Sequence, residues 1–300
     1  MDARAQNVSP TPPVIPEQIA AEHLPNAYRL HDRVISGGLP EGDAAFEELQ
    51  ALGVKTVISV DGARPDVEAA ARHGLRYVHL PHGYDGIPPE RIAELAKAVR
   101  DLPGPVYIHC HHGKHRSPAA ATAACIAAGF INPDSARNIL TVAGTSRKYR
   151  GLYESALSTK RLDDRMLDAL MAEFPETAEL PAMAEAMVQI EHLHDHLQQF
   201  AENNWRALAD KPDLDPPHEA LLLREQFTEL LRTPAAKTQP AAFRKLLQES
   251  EHAAESLEAH LRAGQQSEAA ESLQQVTRHC AACHRDYRDV PLSEKRSTPP

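Results

Sequence analysis

Val106-Tyr-Ile-His-Cys-His-His-Gly-Lys-His-Arg-Ser117 is the stretch on which the first half of this chain turns. Val106–Ile108 is an apolar run of strand type. Gly113 lies mid-way through the polar residues that follow, and Ser117-Pro118 opens a small-residue stretch, 117–128, that reads as a helix. A strand, a short loop containing glycine and a helix N-terminus make an anion site. The loop's N–H groups turn inward, and the helix end adds partial positive charge. The same field favours the thiolate of Cys110. Arg116 offers a planar fork to two oxygens of a phosphate.

Outward from this segment, strands and helices alternate. Tyr28–Leu30, Val34–Ser36, Lys55–Val60 and Arg76–Leu80 read as strands. Asp43–Leu52, Pro65–His73 and Pro88–Leu102 read as helices, the last with Ile92, Leu95, Ala96 and Val99 on one face. That order predicts an α/β unit with a central, mostly parallel sheet and flanking helices over residues 27–160. Residues 1–26, rich in proline, read as a tail or extended strap. Asp163–Phe174 reads as one connecting helix inside a linker at 161–180.

From there on the period changes. Met183, Met187, Ile190, His194 and Leu197 step by four and three, as do Ala269, Leu273, Val276, Cys280 and Cys283. Helices at 218–231 and 241–262 lie between them, with prolines at the junctions. Four amphipathic helices predict an all-α bundle over 181–290, followed by a tail at 291–300.

Composition bounds the function. A net charge of −10 speaks against a general nucleic-acid binder, and no apolar run is long enough to span a membrane. The N-terminus has no apolar core of a signal peptide.

The segment His109–Ser117 resembles the signature of the cysteine-dependent protein tyrosine and dual-specificity phosphatases, His-Cys-x-x-Gly-x-x-Arg-Ser/Thr, at every fixed position. Gly113-Lys-His-Arg116 is similar to the plant and fungal atypical branch, some members of which act on inositol pyrophosphates. The resemblance implies that Cys110 attacks phosphorus and forms a phosphocysteine, with no metal needed. Arg116 and the loop His111, His112, Gly113, Lys114 and His115 would hold the phosphoryl oxygens, and Ser117 would donate to the thiolate. It also implies a general acid on an upstream loop. Asp85, in Pro81-His-Gly-Tyr-Asp-Gly-Ile-Pro88, is the first choice, although nearer to Cys110 than is usual, and Asp61 is the second. The substrate would be a phosphorylated protein or a small phosphate ester, inositol phosphates included. His111, His112, Lys114 and His115 make the loop cationic at mildly acid pH, which suits densely charged phosphates; the alternative is that they face solvent. Cys125 reads as a core thiol or as a resolving thiol for oxidised Cys110.

A second motif stands at Cys280-Ala-Ala-Cys-His284. Cys-x-x-Cys-His is the attachment pattern of haem c, and this composition would produce it by chance only about 0.003 times. Two thioethers hold the porphyrin and the histidine binds iron. Four helices with this motif near the end of the last resemble the cytochrome c-prime/c556-like family. His284-Arg-Asp-Tyr-Arg288 is similar to that family's ending. The resemblance implies covalent haem at Cys280 and Cys283, His284 as the proximal iron ligand, and Met187 or Met183 as the distal one. His192 and His194 are lesser choices for that position. His192 and His196 share a helix face suited to a metal or simply to solvent.

Haem c is attached outside the cytoplasmic membrane, so an attached haem places the chain in the periplasm or beyond it. Without haem the missing signal places it in the cytoplasm. The expectation is therefore a phosphatase joined to a c-type cytochrome domain that senses redox state or a gas, with a redox partner and a homodimer as further expectations. The alternative is a non-catalytic electron-transfer or gas-binding protein whose first domain only binds phosphorylated partners.

Overall fold

The computed structural model describes residues 13–209 and 211–295. The sequence expectations for residues 1–12 and 296–300 lie outside the described residues. The chain divides into two compact units. One runs to Ala178 and takes up the chain again from Asp289; the other is Glu179–Arg288.

The first unit is built on a six-stranded sheet. Its strands are β1 (Glu17–Gln18), β2 (Tyr28–His31), β3 (Val34–Gly37), β4 (Thr56–Ser59), β5 (Arg76–His79) and β6 (Val106–His109), in the order β1-β2-β3-β6-β4-β5. The first two pairings are antiparallel and the rest parallel. Every residue of β3, β4 and β6 is buried, as parallel strands covered on both faces must be. Side chains sort by the period of two. Ile35, Val57, Tyr77 and Tyr107 pack with Phe46 and Leu49 of the helix Gly42–Ala51. Val34, Ile58, Val78, Val106 and Ile108 face the helices Pro89–Asp101 and Arg116–Ala127.

All twelve residues of Arg116–Ala127 are buried. Its run of alanine, with Thr122 and Cys125, lets the sheet and the neighbouring helices approach closely on every side. β6 lies between β3 and β4 although it follows both in sequence. The helix after β3 packs on one face of the sheet and the helix after β6 on the other, so the topology switches between these strands, and open α/β sheets take their ligands outside the C-terminal ends at such a point.

Two expectations are corrected here. Of residues 1–26, read as a tail or extended strap, the described part 13–26 is no free tail but packs on the first unit. Val14 N–H donates to Ser135 Oγ at 2.8 Å, β1 adds an edge strand and Leu24 is buried in the core. The connecting helix spans only Asp164–Ala169. Beyond it the chain extends along the sheet edge, where His79 N–H donates to the Pro175 carbonyl at 2.8 Å and Phe174 packs on the core. These backbone and apolar contacts outweigh continuation of a six-residue helix.

The second unit contains four long helices, Ala182–Glu202, Pro216–Arg232, Ala241–Arg262 and Gln266–Cys283. Their apolar stripes meet in one core with Leu197, Phe200, Leu223, Phe227, Leu257 and Val276 at its centre. Asp215 caps the second of these helices by accepting from His218 N–H at 3.1 Å. Among the described residues no helix is long and apolar enough to cross a membrane.

Candidate functional site

The loop after β6 takes its shape from residues scattered over the first unit. Leu39 N–H donates to the His111 carbonyl at 2.9 Å, Asn26 Nδ2 to the Gly113 carbonyl at 2.8 Å and Thr145 Oγ1 to the Lys114 carbonyl at 2.7 Å. Three carbonyls are thus held on the outside. Because a trans peptide sets N–H opposite C=O, the N–H groups of His112, Lys114 and His115 turn inward. Gly113 has φ +71, and a Cβ there would lie 2.5 Å from Gly38 N and 2.9 Å from the Pro25 carbonyl. Only glycine fits this crossing.

Cys110 is 3% exposed at the base of the loop, with Sγ 3.3 Å from Ser117 Oγ. Ser117 Oγ also donates to the Gly37 carbonyl at 2.8 Å. A hydroxyl has one proton. While it serves Gly37, the serine accepts from the thiol; swung toward sulfur, it stabilises a thiolate.

Arg116 opens the following helix, and its guanidinium is fixed from two sides. Nη2 donates to Asp61 Oδ2 at 2.7 Å, and the Tyr84 ring lies 4.5 Å from Cζ. Asp61 Oδ2 also accepts from His111 N–H at 2.7 Å. Burial alone would raise the Asp61 carboxyl. The Arg116 charge and the N–H groups of Ala63 and His111 outweigh it and hold the group down to about 2. Asp61, the second choice for general acid, is therefore an ionised support for Arg116 and the loop.

The histidines of the loop behave unequally. Burial, with the neighbouring charges of His112, Lys114 and Arg116, lowers His115 to about 4. Its Nδ1 accepts from Ser146 N–H at 3.3 Å. Of the loop residues expected to make it cationic at mildly acid pH, His115 is thus the one whose surroundings favour the neutral form. His111 and His112 stack edge to face at 4.3 Å. With Lys114, Asn26, Leu39 and Glu41 they line a depression beside the loop. His109 is wholly buried, is lowered to about 4 chiefly by that burial, and its Nε2 shares a hydrogen bond with the Tyr77 hydroxyl at 2.6 Å. Cys125 is wholly buried, and burial pushes its thiol well up, which fits a core residue.

Asp85 stands on the segment between β5 and the helix Pro89–Asp101, next to Tyr84. Its carboxylate partner is Lys295, at 2.9 Å. Sequence reasoning passed over Tyr84, Tyr149, Asn26 and Thr145. Tyr84, which lies over the arginine, packs on Tyr149 at 4.6 Å, and His115 lies against Tyr149 at 4.8 Å. Only Tyr84, beside a singled-out aspartate, carried a local signal.

In the second unit Cys280 and Cys283 end the last helix on one face, three residues apart. Both are free thiols, raised by burial, Cys280 to about 11. His284 follows as the first residue of a π-helical turn, His284–Arg288, a distortion often found at functional sites. Tyr287 anchors the turn on Phe243 at 5.0 Å.

The bundle's stripe is sealed at Ile190, Leu197, Leu273 and Val276 but only part-covered at Met183, Met187, Cys280 and Cys283. Two thiols, an imidazole and a part-open apolar end lined by methionine suit a haem in donor set and surroundings. His194 Nε2 is engaged by Thr277 Oγ1 at 2.8 Å, and His196 pairs with the buried Glu219 at 2.7 Å. Among the described residues no group of three or more His, Cys, Asp or Glu side chains could hold a metal ion.

Comparison with known proteins divides along the same line. Residues 231–288 match the family described as Cytochrome C'. Solved phosphatase structures resemble about half of the chain. They include Pseudomonas aeruginosa TpbA bound to phosphotyrosine (21% identity, 52% of this chain and 94% of that one, TM-score 0.42). A putative phosphatase of Shewanella putrefaciens follows (19%, 46% and 93%, TM-score 0.38). A third is the catalytic core of the Saccharomyces cerevisiae PP-IP phosphatase SIW14 (16%, 45% and 86%, TM-score 0.35). No curated protein matches the chain.

Proposed function

We propose that the first unit hydrolyses phosphate monoesters through Cys110, and that the second carries haem c. The carrying observation is the loop itself. Its carbonyls are tied outward by Leu39, Asn26 and Thr145, its arginine is fixed by Asp61, and a cysteine lies beneath it within reach of Ser117.

In the first step the Cys110 thiolate forms a bond to phosphorus while the ester P–O bond breaks. The departing oxygen takes a proton from Asp85. Arg116 and the inward N–H groups hold the three equatorial oxygens through a loose transition state. In the second step water attacks the phosphocysteine and gives its proton to Asp85. Inorganic phosphate and the thiolate are released, with Ser117 donating to sulfur. A phosphorylated protein or a small ester such as an inositol phosphate is the substrate class.

Cys280 and Cys283 would hold the porphyrin and His284 would bind the iron, with Met187 or Met183 as the candidate second ligand from the first helix of the bundle. The bound group would supply one-electron chemistry or a site for a gas. Export from the cytoplasm follows from the attachment. Hydrolysis of an aryl phosphate by the full chain tests the reading. Turnover abolished by Cys110→Ser supports it. Absence of turnover from pH 5 to 8 would turn the first unit into a binding module for phosphorylated partners.

A further inference from the structure

Asp85 is surrounded by the far end of the chain. Leu292 N–H donates to the Asp85 carbonyl at 2.9 Å, and Lys295 Nζ donates to Oδ2 at 2.9 Å. The other oxygen, Oδ1, lies over the Gly83 backbone, where a Cβ would come within 2.3 Å of it. The segment that supplies Leu292 and Lys295 is itself fastened. Arg150 places both arms of its guanidinium on Glu294, at 2.7 and 3.0 Å, and Ser293 Oγ donates to Glu154 at 2.8 Å. Arg150 and Glu154 belong to one helix, Arg150–Ser158. The same helix admits the Asp85 backbone at Gly151, where a Cβ would lie 1.8 Å from the Asp85 carbonyl oxygen. Loop, helix and returning strand of chain are thus joined at one residue, and that residue neighbours Tyr84, which covers Arg116.

We propose that residues 289–295 are an autoinhibitory clasp on the phosphatase site, closed by Lys295 on Asp85. The proposal rests on the reading of Cys110 as nucleophile and Asp85 as acid. A general acid must present an O–H to the leaving oxygen. An Asp85 whose Oδ2 accepts from an ammonium and whose Oδ1 is turned onto Gly83 presents none. Opening the clasp frees it. The fastenings suit a device that opens: Arg150 and Glu294 are 56% and 49% exposed, and ion pairs of this kind are weak and screened by salt. The clasp also continues directly from the turn His284–Arg288. The candidate iron ligand and the lysine on Asp85 therefore share one short stretch of chain.

Charge reversal on the full chain tests this. Turnover of phenyl phosphate, with its poor leaving group, and of para-nitrophenyl phosphate, with its good one, is measured beside amide hydrogen exchange of residues 83–88. Glu294→Arg should speed that exchange and raise kcat for phenyl phosphate at least threefold, with a smaller gain on the nitrophenyl ester. Adding Arg150→Glu should restore both values. Adding Asp85→Asn to Glu294→Arg should erase the gain. Unchanged exchange in Glu294→Arg overturns the clasp. Faster exchange with equal or lower kcat overturns its inhibitory role. If no variant shows turnover dependent on Cys110, the hydrolysis reading fails and takes the inhibitory role with it, while exchange still reports whether the clasp is present.

Discussion

Cys110 is sealed beneath a loop whose polarity is set by backbone groups, and its supports come from Asn26, Asp61 and Thr145, far apart in sequence. Cys280 and Cys283 lie part-covered on a single helix, and the groups that would attach the haem fall between residues 280 and 284. The first is a site of tertiary structure and the second a site of helical spacing. A tertiary site is fragile to distant substitution, whereas a local one fails only when its own residues change.

The largest effect that would sharpen this contrast is all or none. Cys280→Ala with Cys283→Ala, expressed with haem-c maturation, should leave no haem on the chain after acid–acetone extraction, read by the pyridine haemochrome. The wild-type chain should retain it. Haem retained by the double variant would break the comparison at its simpler end.

A distant residue should matter at the other site. Asp61→Asn leaves the Arg116 charge buried without its counter-ion, a change that costs about 3–5 kcal/mol where pairs are well buried. The thermal midpoint should fall, and kcat/KM for an aryl phosphate should drop roughly a hundredfold as the arginine loses its orientation. A variant with wild-type kcat/KM would show that Arg116 positions itself.

Acid is the gentlest probe. His109 and His115, lowered to about 4 in the folded chain from an ordinary 6.5, stay neutral there while the unfolded chain takes up protons. The unfolded state then binds more protons between pH 6.5 and 4, so the first unit loses stability as pH falls through that window. Asp61 works in the same direction lower down. Its contribution, present above the unfolded carboxyl's 3.8, is lost as pH falls toward 2. The bundle's melting should change less over pH 6.5 to 4. Parallel losses in both units would remove the buried histidines as the cause.

The legibility of the chain follows the same contrast. Val106–Ile108, Gly113 and the alanine run after Ser117 showed a strand, a loop and a helix, because each is dictated by local pattern, whereas the crossing of Gly113 with Gly38 and Pro25 was not visible there. The stepping of Ile190, Leu197, Leu273 and Val276 showed the bundle for the same reason. The supports of the loop were hidden because a hydrogen bond from Asn26 to Gly113 leaves no mark in either segment. Asp61 drew notice only as the second choice of acid, and its pairing with Arg116 is visible only once β4 and β6 are neighbours. The shortened helix at Asp164–Ala169 was equally hidden, being set by contacts of Phe174 and Pro175 with the sheet edge.

The return of the chain to its first unit after the bundle has a consequence for how the protein is made. Synthesis runs from the N-terminus, and domains fold as they emerge. The sheet and the Cys110 loop are complete when the ribosome has yet to begin the bundle, and Lys295 arrives only after all four helices have been made. During that interval a nascent chain would carry an Asp85 without the proposed clasp, and cleavage between Arg288 and Lys295 would return the chain to the same condition. The order of translation thus fits the proposed clasp after the second unit, and a chain whose second unit is still unmade has nothing to close it with.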